Sequence, residues 1–153
     1  SFKIQIINED KPLGTAGSLY YLKNKIKNHF FLTNCDTIIN TNYSNILNSH
    51  LKNKNDITMV VAKKTFTIPY GVSDFTRSNF KLIEKPKLKF KVNVGLYLLS
   101  KNILNLIKTK SYLDFNNLLS KSLKKKKKEI ALTKNKNLSF LRNFYIPETK
   151  MVT

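Results

Sequence analysis

Among its 153 residues this chain holds four glycines: Gly14, Gly17, Gly71 and Gly95. Glycine is the one residue that accepts positive φ freely and lets main chain approach a ligand or another strand with no Cβ in the way. A chain this poor in glycine has few places for sharp turns or close backbone contacts. Those four positions therefore mark where the fold turns tightly or where a bound molecule touches main chain.

Hydrophobic periodicity organises the segments between them. Phe2, Ile4 and Ile6 alternate with Lys3 and Gln5 at the two-residue period of a strand. After Pro12 and the first glycines, Ala16, Leu19, Leu22 and Ile26 recur at helical spacing, and the apolar run Phe30 to Leu32 is too short for a helix. Tyr43, Ile46, Leu47 and Leu51 fit one helix face, and Ile57 to Ala62 reads as a buried, β-branched strand. Further strands are expected at Phe80 to Glu84 and Val92 to Leu99. Ile103, Leu104 and Ile107 suggest a short helix, while Phe115, Leu118, Leu119 and Ser122 make one face of another. A last strand is expected at Glu129 to Leu132. Alternating strands and helices predict an α/β layered fold with a mixed, mostly parallel sheet. The regular domain is placed at 1–132 and an irregular C-terminal segment at 133–153. The five-lysine run Lys124 to Lys128 reads as a solvated connector.

Charge enters next, because 28 Lys+Arg against 9 Asp+Glu leave a formal +19. Arginine is limited to Arg77 and Arg142 while lysine, asparagine and isoleucine abound, the pattern that AT-rich codon usage produces. The lysines are spread along the chain with no RNA-module or zinc-finger spacing beside them, which disfavours a nucleic-acid partner. No apolar run reaches the length of a bilayer span, and the opening SFKIQIINED lacks the layout of a secretory signal. The single cysteine, Cys35, excludes an internal disulfide framework. These features together predict a soluble, cytoplasmic chain. His29 and His50 are assigned structural roles.

The chemistry-bearing residues cluster around the glycines. Pro-Leu-Gly-Thr-Ala-Gly, 12 to 17, falls between a strand and a helix, where α/β sheets bind ligands and a helix start offers N–H groups to an anion. The same spacing serves equally for a tight turn with close helix packing. Asp36 lies just past the apolar run Phe30 to Leu32, where a rigidly held carboxylate can supply one oxygen to Mg²⁺ on a phosphorylated substrate, or cap a turn. Tyr70 and Gly71 follow Pro69. Glu84 and Lys85 precede Pro86, which ends a strand with an acceptor beside a cation. Asn93 and Gly95 share a strand face.

Read in order, the series E-D-K-P-L-G-T-A-G-S-L (9 to 19), F-F-L-T-N-C-D (30 to 36), I-P-Y-G-V (68 to 72), I-E-K-P (83 to 86) and V-N-V-G-L-Y (92 to 97) resembles the sugar-phosphate nucleotidyltransferases. The wording is most similar to guanylyltransferases acting on mannose- or glucosamine-type 1-phosphates. The resemblance implies an incomplete Rossmann-like, three-layer, GT-A-like fold. It implies a reaction in which the phosphate oxygen of a sugar 1-phosphate attacks the α-phosphorus of a nucleoside triphosphate, GTP by preference, and expels pyrophosphate. Under it Glu9, Pro12 and Gly14 would border the nucleobase, and Asp36 would bind the Mg²⁺ cofactor. Tyr70 and Gly71 would line the sugar pocket, Glu84 and Asn93 would hold sugar hydroxyls, Lys85 would face the sugar phosphate, and Gly95 would leave room for the ring. Asp36 and Lys85 are thus the expected catalytic pair.

The family's opening strand and phosphate-cradling loop, and the later aspartate of its metal site, have no counterpart in the resemblance, so a fragment or a degenerate copy is expected, with the sugar half of the site present. A catalytically inactive homologue with a regulatory or assembly role, and a basic nucleic-acid-binding module, stand as alternatives. Self-association into a homo-oligomer is expected from an open sheet side.

Overall fold

The fold is given by a computed structural model, which describes residues 3–76, 79–124 and 130–134, with side chains excluded at 74–79 and 130–134. Its frame is a four-stranded sheet of β1 (His29–Thr33), β2 (Ile57–Thr67), β5 (Lys87–Ser100) and β6 (Ile130–Lys134), in the spatial order β1-β5-β2-β6. β3 (Val72–Thr76) and β4 (Asn79–Ile83) form a separate antiparallel pair. The helices are α1 (Gly14–Gly17), α2 (Tyr43–Lys52) and α3 (Phe115–Lys124), with 3-10 turns at Ser18–Leu22 and Lys101–Leu106.

β5 is antiparallel to both of its neighbours, and β6 is parallel to β2. β1, β2 and β6 consequently run one way and β5 runs against them. The expected mixed sheet is present, and its parallel majority is one of strand direction. Two of the three neighbouring pairs are antiparallel because β5 is inserted between strands of common direction.

Two apolar layers follow from the two-residue alternation along β5. On one face Tyr97 and Leu99 join Ile57, Ala16, Leu19, Ile103, Phe115 and Leu118. On the other, Val94, Leu96 and Leu98 join Val60, Ala62, Ile39 and Ile46. Helical segments cover both faces, which gives the three layers. The helix α2 starts where the Asn42 side chain accepts the Asn45 N–H at 3.0 Å, a side-chain cap on an otherwise unpaired donor. It buries Ile46 and His50.

Several expectations shift. The strand expected at Phe2 to Ile6 is not formed over its described part: Ile4 and Ile6 are exposed and no ladder partner lies beside them. Alternation alone cannot hold a strand whose N–H and C=O groups lack a neighbour. The helix expected to reach Ile26 is a single α-turn followed by a 3-10 turn. β2 and β5 are much longer than their apolar cores, and continue as a ribbon of exposed residues. β3 was not anticipated. Residues 125–128 of the lysine run, and 135–153 of the segment set apart as irregular, lie outside the described residues. No helix among the described residues is long and apolar enough to cross a membrane.

His50 has the structural role expected of it, at a cost. It is fully buried, its Nδ1 lies 2.8 Å from Thr58 Oγ1, and Nε2 has no hydrogen-bond partner. The His29 ring stands edge-on at 4.9 Å. Burial, followed by the charge of His29, pulls the imidazole from its ordinary 6.5 down to about 4, against a smaller upward pull from Asp56. Because the folded value lies below the unfolded one, the stability held by neutral His50 is complete above about pH 6.5 and is lost as pH falls toward about 4. We predict that stability measured by urea unfolding falls over this window by up to ~1.4 kcal/mol per pH unit from this group. The difference between wild type and His50→Gln should carry that slope; a pH-independent difference would contradict it.

Candidate functional site

Segment 9–17, which leads into and includes α1, is fastened to the chain before α3. Leu113 N–H donates to Leu13 O at 2.9 Å, and Ala16 and Gly17 N–H both donate to Leu113 O, at 2.9 and 3.1 Å. Phe115 N–H donates to Thr15 Oγ1 at 2.8 Å. The Glu9 carboxylate turns back and accepts the Leu13 N–H at 3.0 Å. Asp10 pairs with Lys110, whose ammonium also lies 5.1 Å from the Tyr21 ring centroid. The hydrogen bond and charge of Lys110 hold the Asp10 carboxyl below its usual range, and Asp10 and Tyr21 hold Lys110 above its own.

These contacts explain the first two glycines. Gly14 has φ +75°, and a Cβ there would stand 2.9 Å from Leu113 O and 3.1 Å from Asp114 Oδ1. At Gly17 it would meet Ser111 O at 2.6 Å. The space is taken up by protein, and the two N–H groups that a helix start might turn to an anion are engaged by Leu113. Pro12 stays exposed on the outer side of this loop.

A second group forms where β1 ends beside β5. Thr33 pairs with Leu96, and Asn34 N–H donates to Gly95 O at 3.2 Å. Gly95 has φ +75° at a register shift in the β2–β5 ladder, and a Cβ on it would meet Asn34 Nδ2 at 2.6 Å. The Asn93 side-chain oxygen Oδ1 accepts the Gly95 N–H at 3.0 Å, and its Nδ2 donates to Tyr97 OH. Tyr97 stacks at 4.0 Å on Phe115, which joins this group to the layer under segment 9–17. Asp36 follows two residues after Asn34. Its carboxylate is exposed, and Oδ1 accepts the Thr37 hydroxyl at 3.2 Å.

The third group lies at the far end of the ribbon. Ile68 N–H donates to Pro86 O at 3.1 Å and closes it. Beyond that closure, a Cβ on Gly71 would stand 2.8 Å from Glu84 Oε1. The Glu84 carboxylate therefore occupies the space beside Gly71, next to the exposed Tyr70. Lys85, between Glu84 and Pro86, has φ +43°, a left-handed conformation uncommon outside glycine and asparagine.

Direct contacts thus link Glu9 with Leu13, Asn93 with Gly95, and Gly71 with Glu84. Asn34, Tyr97, Leu113 and Asp114 escaped the sequence reading. Asn34, Leu113 and Asp114 lie far in sequence from Gly95 and Gly14, whose space they fill, so those glycines were the advance signal for them; Tyr97 bonds Asn93 only four residues away.

A hard, exposed carboxylate such as Asp36 is compatible with Mg²⁺, which keeps several waters and substrate phosphates around one or two protein oxygens. Among the described residues no group of three or more His, Cys, Asp or Glu side chains converges as a metal cage.

The sequence profile of the Nucleotidyl transferase family matches residues 1–140. "Mannose-1-phosphate guanylyltransferase 1" of Arabidopsis thaliana is 33% identical over 114 residues, 69% of this chain and 32% of that protein. "Probable mannose-1-phosphate guanylyltransferase 1" of Oryza sativa subsp. japonica is 32% identical over 117 residues, 71% of this chain and 32% of that protein. The chain spans about a third of the length of these curated relatives. In fold, it is similar to HddC from Yersinia pseudotuberculosis complexed with GMP-PN, with a TM-score of 0.61 at 22% identity, covering 88% of this chain and 59% of that one.

A prediction follows from the β1–β5 junction. Gly95→Ala combines strain at positive φ with a clash on Asn34, and should lower stability by roughly 2 kcal/mol or more. Adding Asn34→Ala removes the clash and leaves the backbone strain, so the double variant should recover part of the loss in urea unfolding. Full recovery, or none, would show that only one of the two causes operates.

Proposed function

The chain belongs to the Nucleotidyl transferase family, and from that premise we propose that it is the sugar-binding part of an enzyme that transfers a nucleoside monophosphate, with GTP as donor, to a sugar 1-phosphate. The single observation that carries this reading is the β1–β5 junction. There a positive-φ glycine, Gly95, an asparagine held by its own strand, Asn93, and the carboxylate of Asp36 follow from one strand pairing.

In this reading Asn93 is already oriented by the Gly95 N–H and Tyr97, which leaves a rotamer fixed before a sugar hydroxyl arrives. Tyr70, Gly71 and Glu84 hold the remaining sugar face, and Lys85 neutralises the sugar phosphate. Glu9 shapes the nucleobase loop by accepting from Leu13, with Pro12 and Gly14 as its border. Asp36 anchors Mg²⁺. Bound metal would neutralise charge at the α-phosphate and align the two polyanions. The names of the Arabidopsis and Oryza relatives support mannose 1-phosphate as the acceptor, and the GMP-PN bound to the Yersinia protein is in keeping with a guanine nucleotide.

The reading is tested by pyrophosphate release from GTP and mannose 1-phosphate, using the chain joined to the opening segment of a guanylyltransferase relative. Asp36→Asn should lower kcat/KM by about 10²-fold or more, and raising Mg²⁺ should not restore it. Equal activity in both proteins would remove the metal role. No turnover in either, with the protein folded, would favour the inactive homologue.

A further inference from the structure

The chain has two histidines, His29 and His50, and the fold sets them against each other. His29 opens β1 and is exposed, while His50 lies in the last turn of α2 and is fully buried. Their ring centroids are 4.9 Å apart, with the planes at 83°. The proposed transfer reaction uses neither of them.

Three observations separate this pair from an ordinary core contact. His50 Nε2 is buried without a hydrogen-bond partner, a costly state for a polar atom and an uncommon one in folded proteins. The other ring nitrogen is held from behind: Nδ1 lies 2.8 Å from Thr58 Oγ1, which also accepts from Asn55 Nδ2 at 3.2 Å. A metal-binding imidazole is oriented in this way, its far N–H donating to an oxygen while the nearer nitrogen keeps a lone pair. The spacing also fits, because two imidazoles sharing one metal at about 2.0–2.1 Å per nitrogen have ring centres roughly 5 Å apart. His29 sits at the surface, where its ring can turn about a soft terminal torsion to bring a nitrogen to bear. The Asp56 carboxylate adds a pull in favour of positive charge at His50.

We propose that His29 and His50 form a binding site for one transition-metal ion of the Ni²⁺, Zn²⁺ or Cu²⁺ class, with His50 Nε2 and a nitrogen of His29 as the protein ligands. Among the described residues no third His, Cys, Asp or Glu completes a cage, so water fills the remaining positions. His50 is then the neutral tautomer with its proton on Nδ1, donated to Thr58 Oγ1, and the metal satisfies the nitrogen that the fold leaves unpaired. Imidazole suits these ions, whereas Mg²⁺ takes oxygen ligands. The site is therefore distinct in chemistry from the Mg²⁺ carboxylate proposed at Asp36. It joins the first residue of β1 to the last turn of α2, so bound metal fastens that helix to the sheet and stabilises the folded chain by mass action. This inference goes beyond the proposed function and requires no turnover.

The test is calorimetric titration of the full chain with NiCl₂ at pH 7.5 in a non-chelating buffer, with Mg²⁺ in excess to occupy carboxylate sites. Wild type should take up one Ni²⁺ per chain. His29→Gln changes an exposed residue and should weaken binding at least tenfold with the fold intact by circular dichroism. His50→Gln, where it folds, should do the same. Cys35→Ser removes the exposed thiol, the chain's other soft ligand, and should keep affinity within about threefold. Ni²⁺ should also raise the urea midpoint of wild type and leave that of His29→Gln unmoved. Absence of Ni²⁺ binding by wild type would overturn the proposal, and would leave His50 Nε2 as an N–H aimed at its surroundings. Binding that survives His29→Gln, or that falls as far in Cys35→Ser, would overturn it too. Because neither histidine takes part in the proposed reaction, loss of transferase activity in Asp36→Asn neither supports nor weakens this site.

Discussion

Everything in this fold depends on β5. It pairs with β1 over Leu96 to Ser100 and with β2 along most of its length, so it is the strand through which the described parts of the sheet are joined. Its inner half also divides the apolar side chains, sending Tyr97 and Leu99 to one layer and Val94, Leu96 and Leu98 to the other. A strand buried on both faces reads as a continuous apolar run, which is what Leu96 to Leu99 is. Its residues each contribute on the order of 1.5–3 kcal/mol of burial. Ser100 fastens the end of this half to the start of β2, its N–H donating to Asp56 O at 2.9 Å and its hydroxyl to the Asp56 carboxylate at 2.8 Å.

The candidate site uses the places where this strand departs from regularity. Gly95 permits the register shift against β2, and the shift opens the spot into which Asn34 fits. Asn34 in turn fixes the direction in which the chain leaves β1 toward Asp36. Segment 9–17 is tied to the same layer by Leu113 and Phe115 rather than by the sheet itself. Position in the candidate site is thus set largely by main-chain hydrogen bonds, with the candidate side chains carried on them.

What the sequence makes legible is what short-range physics determines. The runs Phe30 to Leu32, Ile57 to Ala62 and Val92 to Leu99 are strands because no other element buries so short an apolar run. Ile46, Leu118 and Ser122 face inward where helical spacing placed them. The outer halves of β2 and β5 were hidden because Lys and Thr carry little burial signal, and only the ladder between them shows that they pair. The segment from Ile4 to Ile6 had the right alternation with no neighbour to satisfy it. Gly14 and Gly95 were recognisable as special, and both have positive φ. Their partners, a carbonyl of Leu113 and the Asn34 amide, were not, since a glycine's sequence says that something is close but never what.

One consequence of β5 reaches beyond its geometry. Lys87 to Lys91 is exposed and paired on one side only, while Tyr97 to Leu99 is buried and paired on both. A single strand therefore spans the range from easily opened backbone to backbone freed only by global unfolding. Amide hydrogen exchange along these fourteen residues should trace a gradient of opening free energies, a built-in ruler against which ordering of the outer half can be read without disturbing the inner.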